Sequence, residues 1–433
     1  MIASLSGIRG VYNRDLTPSE AAKFAGNFGR ATGSHEFLLA RDTRASGPAM
    51  SRAVAAGLLS LGATVYDYGV VTTPAIFRES RTRRLPAVMV TASHNEPEYS
   101  GLKFIVDGAG IGKESFEAVV QWPKVPVEEV GCGSFREGQR SSYVEDLVAR
   151  YGEGSARGIK VAADFGGGAA AVQASSILAR MGCDVKPMND GNGVFARKVD
   201  PVADDLALLR MTVKEKGYDI GLGFDCDGDR LVIVDSDGGK RTGDYMLTLA
   251  LSALLAETGE KKVVVSLDTT QAVDDVAGKF GCQVSRSKVG EANVVAMMRA
   301  QGARLGGEGS SGGLIDGSFN YCRDSMTAAL AIIRALKTQG RRFYDSVPAY
   351  HQVRVALQIP KARAQRALRR LAGRYEEADM TDGLKIMLPK KSWVLMRPSG
   401  TEDVVRVSAE STSAARAGQL ADSFARKLKG LSR

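Results

Sequence analysis

Long apolar runs are absent from this chain of 433 residues. No stretch approaches the roughly 18 consecutive apolar residues of a membrane helix, so a helical membrane protein is excluded. The first ten residues, MIASLSGIRG, carry no basic segment followed by an apolar one, and no secretory signal is expected. Cysteine is scarce: Cys132, Cys183, Cys226, Cys282 and Cys322 lie far apart and form no Cys-x-x-Cys pair. That speaks against a disulfide framework or a thiolate metal site and fits a reducing cytoplasm. The chain lacks a block of like charge as well. Its net charge of +9 is spread along its length, apart from RTRR and RKLKG. No nucleic-acid partner is therefore expected; an anionic small substrate, or surface composition alone, would account for the same excess.

The composition is ordinary for a globular protein, with 44% hydrophobic and 25% charged residues, and the length allows several domains at roughly 100–200 residues each. Strand-like apolar runs alternate with amphipathic helical patterns, the signature of α/β layers. EFLLARDTR, ATVYDYGVV and LPAVMVTASH read as strands, and GPAMSRAVAAGLLSLG as a helix. The cycle recurs at GIKVAADFGGGAAAVQASSILARMG and again at KKVVVSLDTTQAVDDVAGKFG. The last segment mixes shorter strands with helices and reads as an α+β unit with an antiparallel sheet. The expected division is 1–154, 155–249 and 250–346 for three similar α/β domains, with 347–433 for the smaller C-terminal one.

Four clusters carry chemistry. DCDGD places Asp225, Asp227 and Asp229 after the apolar run DIGLGF. Alternate residues of an extended segment project to one side, so the three like charges crowd, and a divalent cation would remove the repulsion. Oxygen-only ligation suits Mg²⁺. A solvated acidic turn is the plainer alternative; Asp235 and Asp237 in VDSDGGK read as such a turn. TASHN places Ser93 beside His94, one of three histidines in the chain. Adjacent side chains diverge and no Gly-x-Ser-x-Gly elbow surrounds them, so a serine–histidine hydrolase pair is not expected. A serine at a strand end could instead carry a phosphoryl group, with Lys103 neutralising charge or carrying a proton. GGEGSSGG offers close backbone approach and the polar groups of Glu308, Ser310 and Ser311, without the lysine of a P-loop. RPSGTEDVVRV supplies Arg397, Ser399, Gly400, Thr401 and Arg406, the forks and short donors that a phosphate monoester takes. Arg9 lies between glycines in SGIRG, and Asp42 in ARDTR is expected to form a structural ion pair with an arginine.

SGIRG, TASHN with GLKF, DCDGDR, GGEGSSGG and RPSGTED, in this order across nearly the whole chain, resemble the α-D-phosphohexomutase superfamily, in its archaeal-type form. The resemblance implies four domains around a central cleft, each giving one loop. It implies a phosphohexose mutase working through a phosphoserine and a bisphosphorylated hexose. Ser93 would be the phosphoserine; Asp225, Asp227, Asp229 and an oxygen on Ser93 would hold Mg²⁺. Arg9, Lys103 and Arg230 would stand in the catalytic centre. Glu308 with Ser310 or Ser311 would contact sugar hydroxyls, and Arg397, Ser399, Gly400, Thr401 and Arg406 the non-reacting phosphate. The N-terminal pattern looks like members acting on glucosamine phosphates; glucose and mannose phosphates are the alternative.

The chain departs from the family pattern at three places. HNEPEYSG lacks a proline directly after the asparagine. The sugar loop has two serines and Gly313 where many bacterial members have a histidine. YCRDS stands for a commoner GRD, keeping Arg323 and Asp324. An aspartate-nucleophile phosphatase is the more remote reading of GFDCDGD; Asp229 stands where that scheme takes Thr or Val, and TASHN and RPSGTE go unexplained.

Overall fold

The computed structural model describes residues 1–121, 132–399 and 403–432. Three of its four sheets repeat one four-strand pattern. In the first, Glu36–Arg41 lies between Thr64–Val70 and Ala87–Val90, parallel to both, and Tyr99–Val106 returns antiparallel to Ala87–Val90. In the second, Lys160–Asp164 is flanked in parallel by Asp184–Met188 and Ile220–Phe224, and Leu231–Asp235 returns antiparallel. In the third, Lys262–Ser266 is flanked by Gln283–Ser287 and Leu305–Glu308, and Gly313–Asp316 returns antiparallel. The central strands are apolar on both faces, as helix-covered parallel strands must be. The fourth sheet is antiparallel throughout, in the order His351–Gln358, Val404–Ser411, Ser392–Pro398, Leu384–Leu388, Ala378–Asp379. The expected three α/β domains and a smaller antiparallel unit are therefore present.

The first sheet is larger than its counterparts. Ile2–Ser4 and Gly7–Val11 form a hairpin added to Tyr99–Val106, opposing Arg9 to Gly101. The helix that follows, Pro18–Thr32, starts at a capping box in which Thr17 and Glu20 satisfy each other's backbone N–H groups. Helix Gly243–Thr258 is buried along most of its length between the second and third sheets, and one apolar cluster runs from the first sheet through the third. The fourth unit has a core of its own. It meets the third across a polar seam: Lys385 Nζ donates to Leu267 O at 2.6 Å and lies 4.5 Å from the Trp393 ring centroid. Buried Glu410 accepts from Gln271 N and from Trp393 Nε1, each at 2.8 Å. Among the described residues no helix is long and apolar enough to cross a membrane.

The repeat fixes where chemistry can sit. In all three units the third strand ends in a loop before its antiparallel partner: 91–98, 225–230 and 309–312. The three loops are TASHNEPE, DCDGDR and GSSG. A crevice beyond the carboxyl ends of parallel strands is where open α/β sheets bind ligands.

Candidate active site

The loops converge on a cleft of about 680 Å³ whose lining draws on all four units. Arg9, His94 and Asn95 come from the first, Arg230 from the second, Glu308, Ser310, Ser311 and Arg323 from the third, and Arg354, Arg397 and Arg406 from the fourth. Ser93, Lys103 and the three aspartates lie beneath, almost wholly buried.

Ser93 lies in the loop that follows strand Ala87–Val90. Its φ is 52°, a left-handed conformation that costs a non-glycine residue about 1–2 kcal/mol. A buried clamp holds that turn. Arg44 donates through Nη2 to Ser93 O at 2.7 Å and to Asn95 O at 2.6 Å, and through Nη1 to Glu96 O. Asp42 pairs with Arg44 Nε at 3.1 Å and accepts from Thr91 Oγ1 at 2.6 Å; Thr91 Oγ1 accepts from Ser93 N at 2.8 Å. The Asp42 ion pair is thus structural, as expected, and it shapes the serine loop. Ser93 Oγ is left facing Asp225 Oδ2 at 3.1 Å.

His94 differs from the expectation of divergence, because the left-handed turn swings its ring back to bring Nδ1 within 3.4 Å of Ser93 Oγ. Burial, reinforced by Arg230, Arg9 and Arg323, lowers its pKa to about 2, which keeps the ring neutral and makes it a weak base.

The acidic loop is not an extended segment either. Gly228, at φ 67°, lets it wrap, so that Asp225 Oδ1 accepts from the backbone N–H groups of Asp229 and Arg230, each at 3.1 Å. Wrapping rather than alternation gathers the three carboxylates, with one oxygen from each inside a 4.8 Å span. Asp227 Oδ2 accepts from Thr73 Oγ1 at 2.6 Å and from Lys103 Nζ at 2.7 Å; Asp229 Oδ2 accepts from Lys103 Nζ at 2.9 Å and from Arg323 Nη2 at 2.8 Å. The second oxygens of both, Asp227 Oδ1 and Asp229 Oδ1, are buried without a hydrogen-bond partner. Clustered carboxylates, two of them with an oxygen left without a hydrogen bond, fit a hard divalent cation. Burial, with Asp227 and Asp229 beside it, pushes Asp225 well above the usual carboxylate range. Lys103 responds in the other sense: burial favours the neutral amine, but Asp227 and Asp229 more than offset it and hold the ammonium charged.

Cations crowd the cleft wall. Burial and then Arg230 lower the Arg9 pKa to about 10, against the opposing pull of Asp227 and Asp229. Arg397 and Arg406 face each other across antiparallel strands, a like-charge pairing that is unfavourable by itself. Arg397 Nε lies 2.8 Å from Asp382 Oδ2, and Ser399 is buried with its N–H on Val404 O at 2.7 Å. Gly400 and Thr401 lie outside the described residues.

In the third loop Glu308 ends a strand, with Oε1 accepting from Gly290 N at 2.7 Å and Oε2 lying 3.2 Å from Arg323 Nη1. Ser310 and Ser311 both line the cleft, and Ser311 Oγ also donates to Glu308 O at 3.3 Å. Sequence reasoning gave Arg44 no part beyond a candidate ion pair with Asp42, and assigned no role to Thr73, Glu291 or Arg323. Arg44 and Arg323 stand in short charged motifs, ARDTR and CRDS; Thr73 and Glu291 carried no sequence signal.

Four family models, described as phosphoglucomutase/phosphomannomutase alpha/beta/alpha domains I, II and III and the C-terminal domain, match residues 2–122, 141–239, 242–352 and 352–427. The chain is 34% identical over 438 residues to a Methanopyrus kandleri protein named "Probable phosphoglucosamine mutase", covering 97% of this chain and 96% of that one. It is 31% identical to the phosphoglucomutase/phosphomannomutase of Thermococcus kodakarensis, over 94% of each. Among solved structures, a phosphoglucomutase/phosphomannomutase family protein from Burkholderia thailandensis superimposes with TM-score 0.87 at 27% identity, covering 99% of this chain and 98% of the other. The fold is also that of Aspergillus fumigatus N-acetylphosphoglucosamine mutase, solved with GlcNAc-6P and magnesium, at TM-score 0.64 and 15% identity over 100% and 96% of the chains. Four matched domains in sequence order, a cleft assembled from all of them and relatives aligned end to end agree: this chain belongs to the phosphoglucomutase/phosphomannomutase family of phosphohexomutases.

Proposed function

We propose that this phosphohexomutase moves a phosphoryl group between the 6- and 1-positions of a hexose phosphate through a phosphorylated Ser93 and a bisphosphorylated hexose. The observation that carries the reading is Ser93 Oγ, held on a strained turn 3.1 Å from Asp225 Oδ2 beneath an arginine-lined cleft. The favoured pair is glucosamine 6-phosphate and glucosamine 1-phosphate, in line with the Methanopyrus relative. Glucose and mannose phosphates are the second reading, in line with the Thermococcus relative. The four domains are taken to divide near residues 155, 250 and 347, each supplying one loop.

Phosphoryl transfer asks a protein for positioning and charge neutralisation more than for covalent chemistry. Mg²⁺ held by Asp225, Asp227, Asp229 and an oxygen on Ser93 would neutralise the transferring group. A sugar hydroxyl attacks phosphorus, the bond to Ser93 Oγ breaks, and the hydroxyl proton ends on Ser93. Lys103, charged between two carboxylates, serves as fixed positive charge. Arg9 and Arg230 draw the anionic substrate into the cleft. The bisphosphorylated sugar then turns round and returns its other phosphoryl group to Ser93. Arg397, Arg406 and Ser399, with Gly400 and Thr401, hold whichever phosphate is not reacting. Glu308 with Ser310 or Ser311 takes the hydroxyls between.

Ser93→Ala should abolish interconversion of all three hexose 1-phosphates, and near-normal turnover in that variant would sink the mechanism. In the parent, rates on glucosamine, glucose and mannose 1-phosphates compared side by side decide the sugar. Phosphate release without isomer formation would transfer the site to the phosphatase reading.

A further inference from the structure

Arg323 is buried where the acidic loop, the sugar loop and the start of helix Glu291–Gln301 meet. Its guanidinium donates to Asp229 Oδ2 from Nη2 at 2.8 Å and to Glu308 Oε2 from Nη1 at 3.2 Å, and its Nε lies 3.1 Å from Glu291 Oε2 as an ion pair without a hydrogen bond. Its backbone N–H also donates to Glu291 Oε2 at 2.9 Å, and Nη1 donates to Ser311 Oγ at 3.4 Å. The guanidinium is planar and its donors diverge at fixed angles, so carboxylates held by different nitrogens are held at fixed positions relative to one another. By occupying Asp229 Oδ2 together with Lys103, Arg323 leaves Oδ1 without a hydrogen bond, with only Arg230 Nε at 3.8 Å beside it. By occupying Glu308 Oε2 it sets the rotamer of a carboxylate that faces the cleft.

Gly313 is what admits it. A Cβ at residue 313 would stand 2.1 Å from Arg323 Cδ and 2.5 Å from its Cγ, far inside contact distance. The stem of Arg323 therefore fills the space that a side chain at 313 would need, and each residue fixes the other.

We infer that Arg323 is a positioning residue that couples the cation-holding loop to the sugar loop, so that one guanidinium orients Asp229 and Glu308 together. This rests on the proposed roles of those two carboxylates. Changing the fork should then disturb cation affinity and sugar affinity jointly. Arg323→Lys keeps a positive charge and loses the fork. Its expected effect is at least a tenfold rise in the Mg²⁺ concentration at the midpoint of a thermal-shift titration without substrate. The KM for hexose 1-phosphate at saturating Mg²⁺ should rise at least tenfold as well, with kcat lowered less. A purely structural arginine would lower the melting temperature and leave the Mg²⁺ midpoint in place. Gly313→Ala, which forces Arg323 aside, should reproduce both shifts and covers the case in which Arg323→Lys does not fold. Adding Gly313→Ala to Arg323→Ala should cost less than in the parent, because the two atoms inside 3 Å are gone and only Cβ, at 3.1 Å, remains close. A midpoint or a KM within twofold of the parent in folded Arg323→Lys or Gly313→Ala overturns the coupling. So does a Gly313→Ala substitution that costs as much in the Arg323→Ala background as in the parent. The Mg²⁺ midpoint is read without turnover, so it is independent of the Ser93→Ala result that decides the mutase mechanism.

Discussion

Lys103 is the buried cation whose removal should be felt most. Its Nζ lies 2.7 Å from Asp227 Oδ2 and 2.9 Å from Asp229 Oδ2, and both carboxylates are fully buried. At such separations each attraction is worth roughly 6 kcal/mol with an effective dielectric of about 20. Most of that offsets the cost of stripping water from the charges. Removing one partner alone leaves that cost standing, and breaking a buried pair in this way costs about 3–5 kcal/mol. Lys103→Met keeps the stem and deletes the charge. At 2–4 °C per kcal/mol for a unit of 150–250 residues, the melting transition should fall by roughly 6–20 °C. The effect has a pH window. Burial raises the Asp227 and Asp229 pKa values, and Asp229 raises that of Asp227 further. Lys103, with Thr73 for Asp227 and Arg323 for Asp229, nevertheless brings both below the ordinary range. Their contribution is therefore complete above an unfolded carboxyl pKa of about 4 and is lost as pH falls below it. Lys103 titrates above an ordinary lysine, so its contribution is complete below about 10.5 and is lost as pH rises past its folded value. The deficit of the variant should shrink as pH falls, because Asp227 and Asp229, left buried without the ammonium, take up protons more readily than in the parent. Mg²⁺ should recover more stability in the variant than in the parent, because a second cation then faces the same carboxylates. Differential scanning calorimetry at several pH values, with and without Mg²⁺, measures all of this. A variant melting within about 2 °C of the parent at pH 7 without Mg²⁺, where at least 6 °C is expected, would refute the reasoning.

Two further outcomes follow from residues on the fourth unit. Lys385 is buried at the seam, and burial, reinforced by Arg286, lowers its pKa to about 7. Between that value and the 10.5 of an ordinary lysine only the unfolded chain holds the proton, so stability should rise with pH across this window. Lys385→Met should flatten the rise in melting temperature between pH 7 and 9.5; an unchanged slope would count against a neutral Lys385. Arg406 faces Arg397 across the sheet, and a charge-assisted bond to phosphate is worth about 1.5–3 kcal/mol. Arg406→Ala should raise KM by roughly 10- to 150-fold while kcat changes less. Inorganic phosphate should also stabilise the parent more than the variant in a thermal-shift assay, and equal shifts would place the phosphate elsewhere.

Much of the architecture was legible because period and punctuation agree. The three strand–helix cycles and the antiparallel C-terminal unit follow from apolar periodicity. The site motifs were legible because Ser93, Asp225, Asp227 and Asp229 sit in short runs whose chemistry has few structural uses. Hidden from the sequence were contacts made at long range. Nothing near Thr73 announces that its hydroxyl bonds to Asp227. Glu291 is one charge in the first turn of a surface-lying helix until Arg323 folds against it. The acidic loop illustrates a right result reached through the wrong geometry. Alternation along a strand was the expected means of gathering the aspartates, whereas the turn at Gly228 and two backbone N–H bonds to Asp225 do it. Local pattern reports the next few residues; it cannot report which distant chain segment arrives.

The cleft takes lining from all four units, and no one unit owns a complete set of groups. Activity is therefore an all-or-none readout of assembly. A nascent or heat-stressed chain with three sheets formed and one open should retain most of its ordered residues and lose its turnover. Inactivation on warming should track the first unit to open, ahead of the loss of helix seen by circular dichroism. On the proposed mechanism, a chain that has only its serine loop and its acidic loop would lack the groups that hold the far end of the sugar.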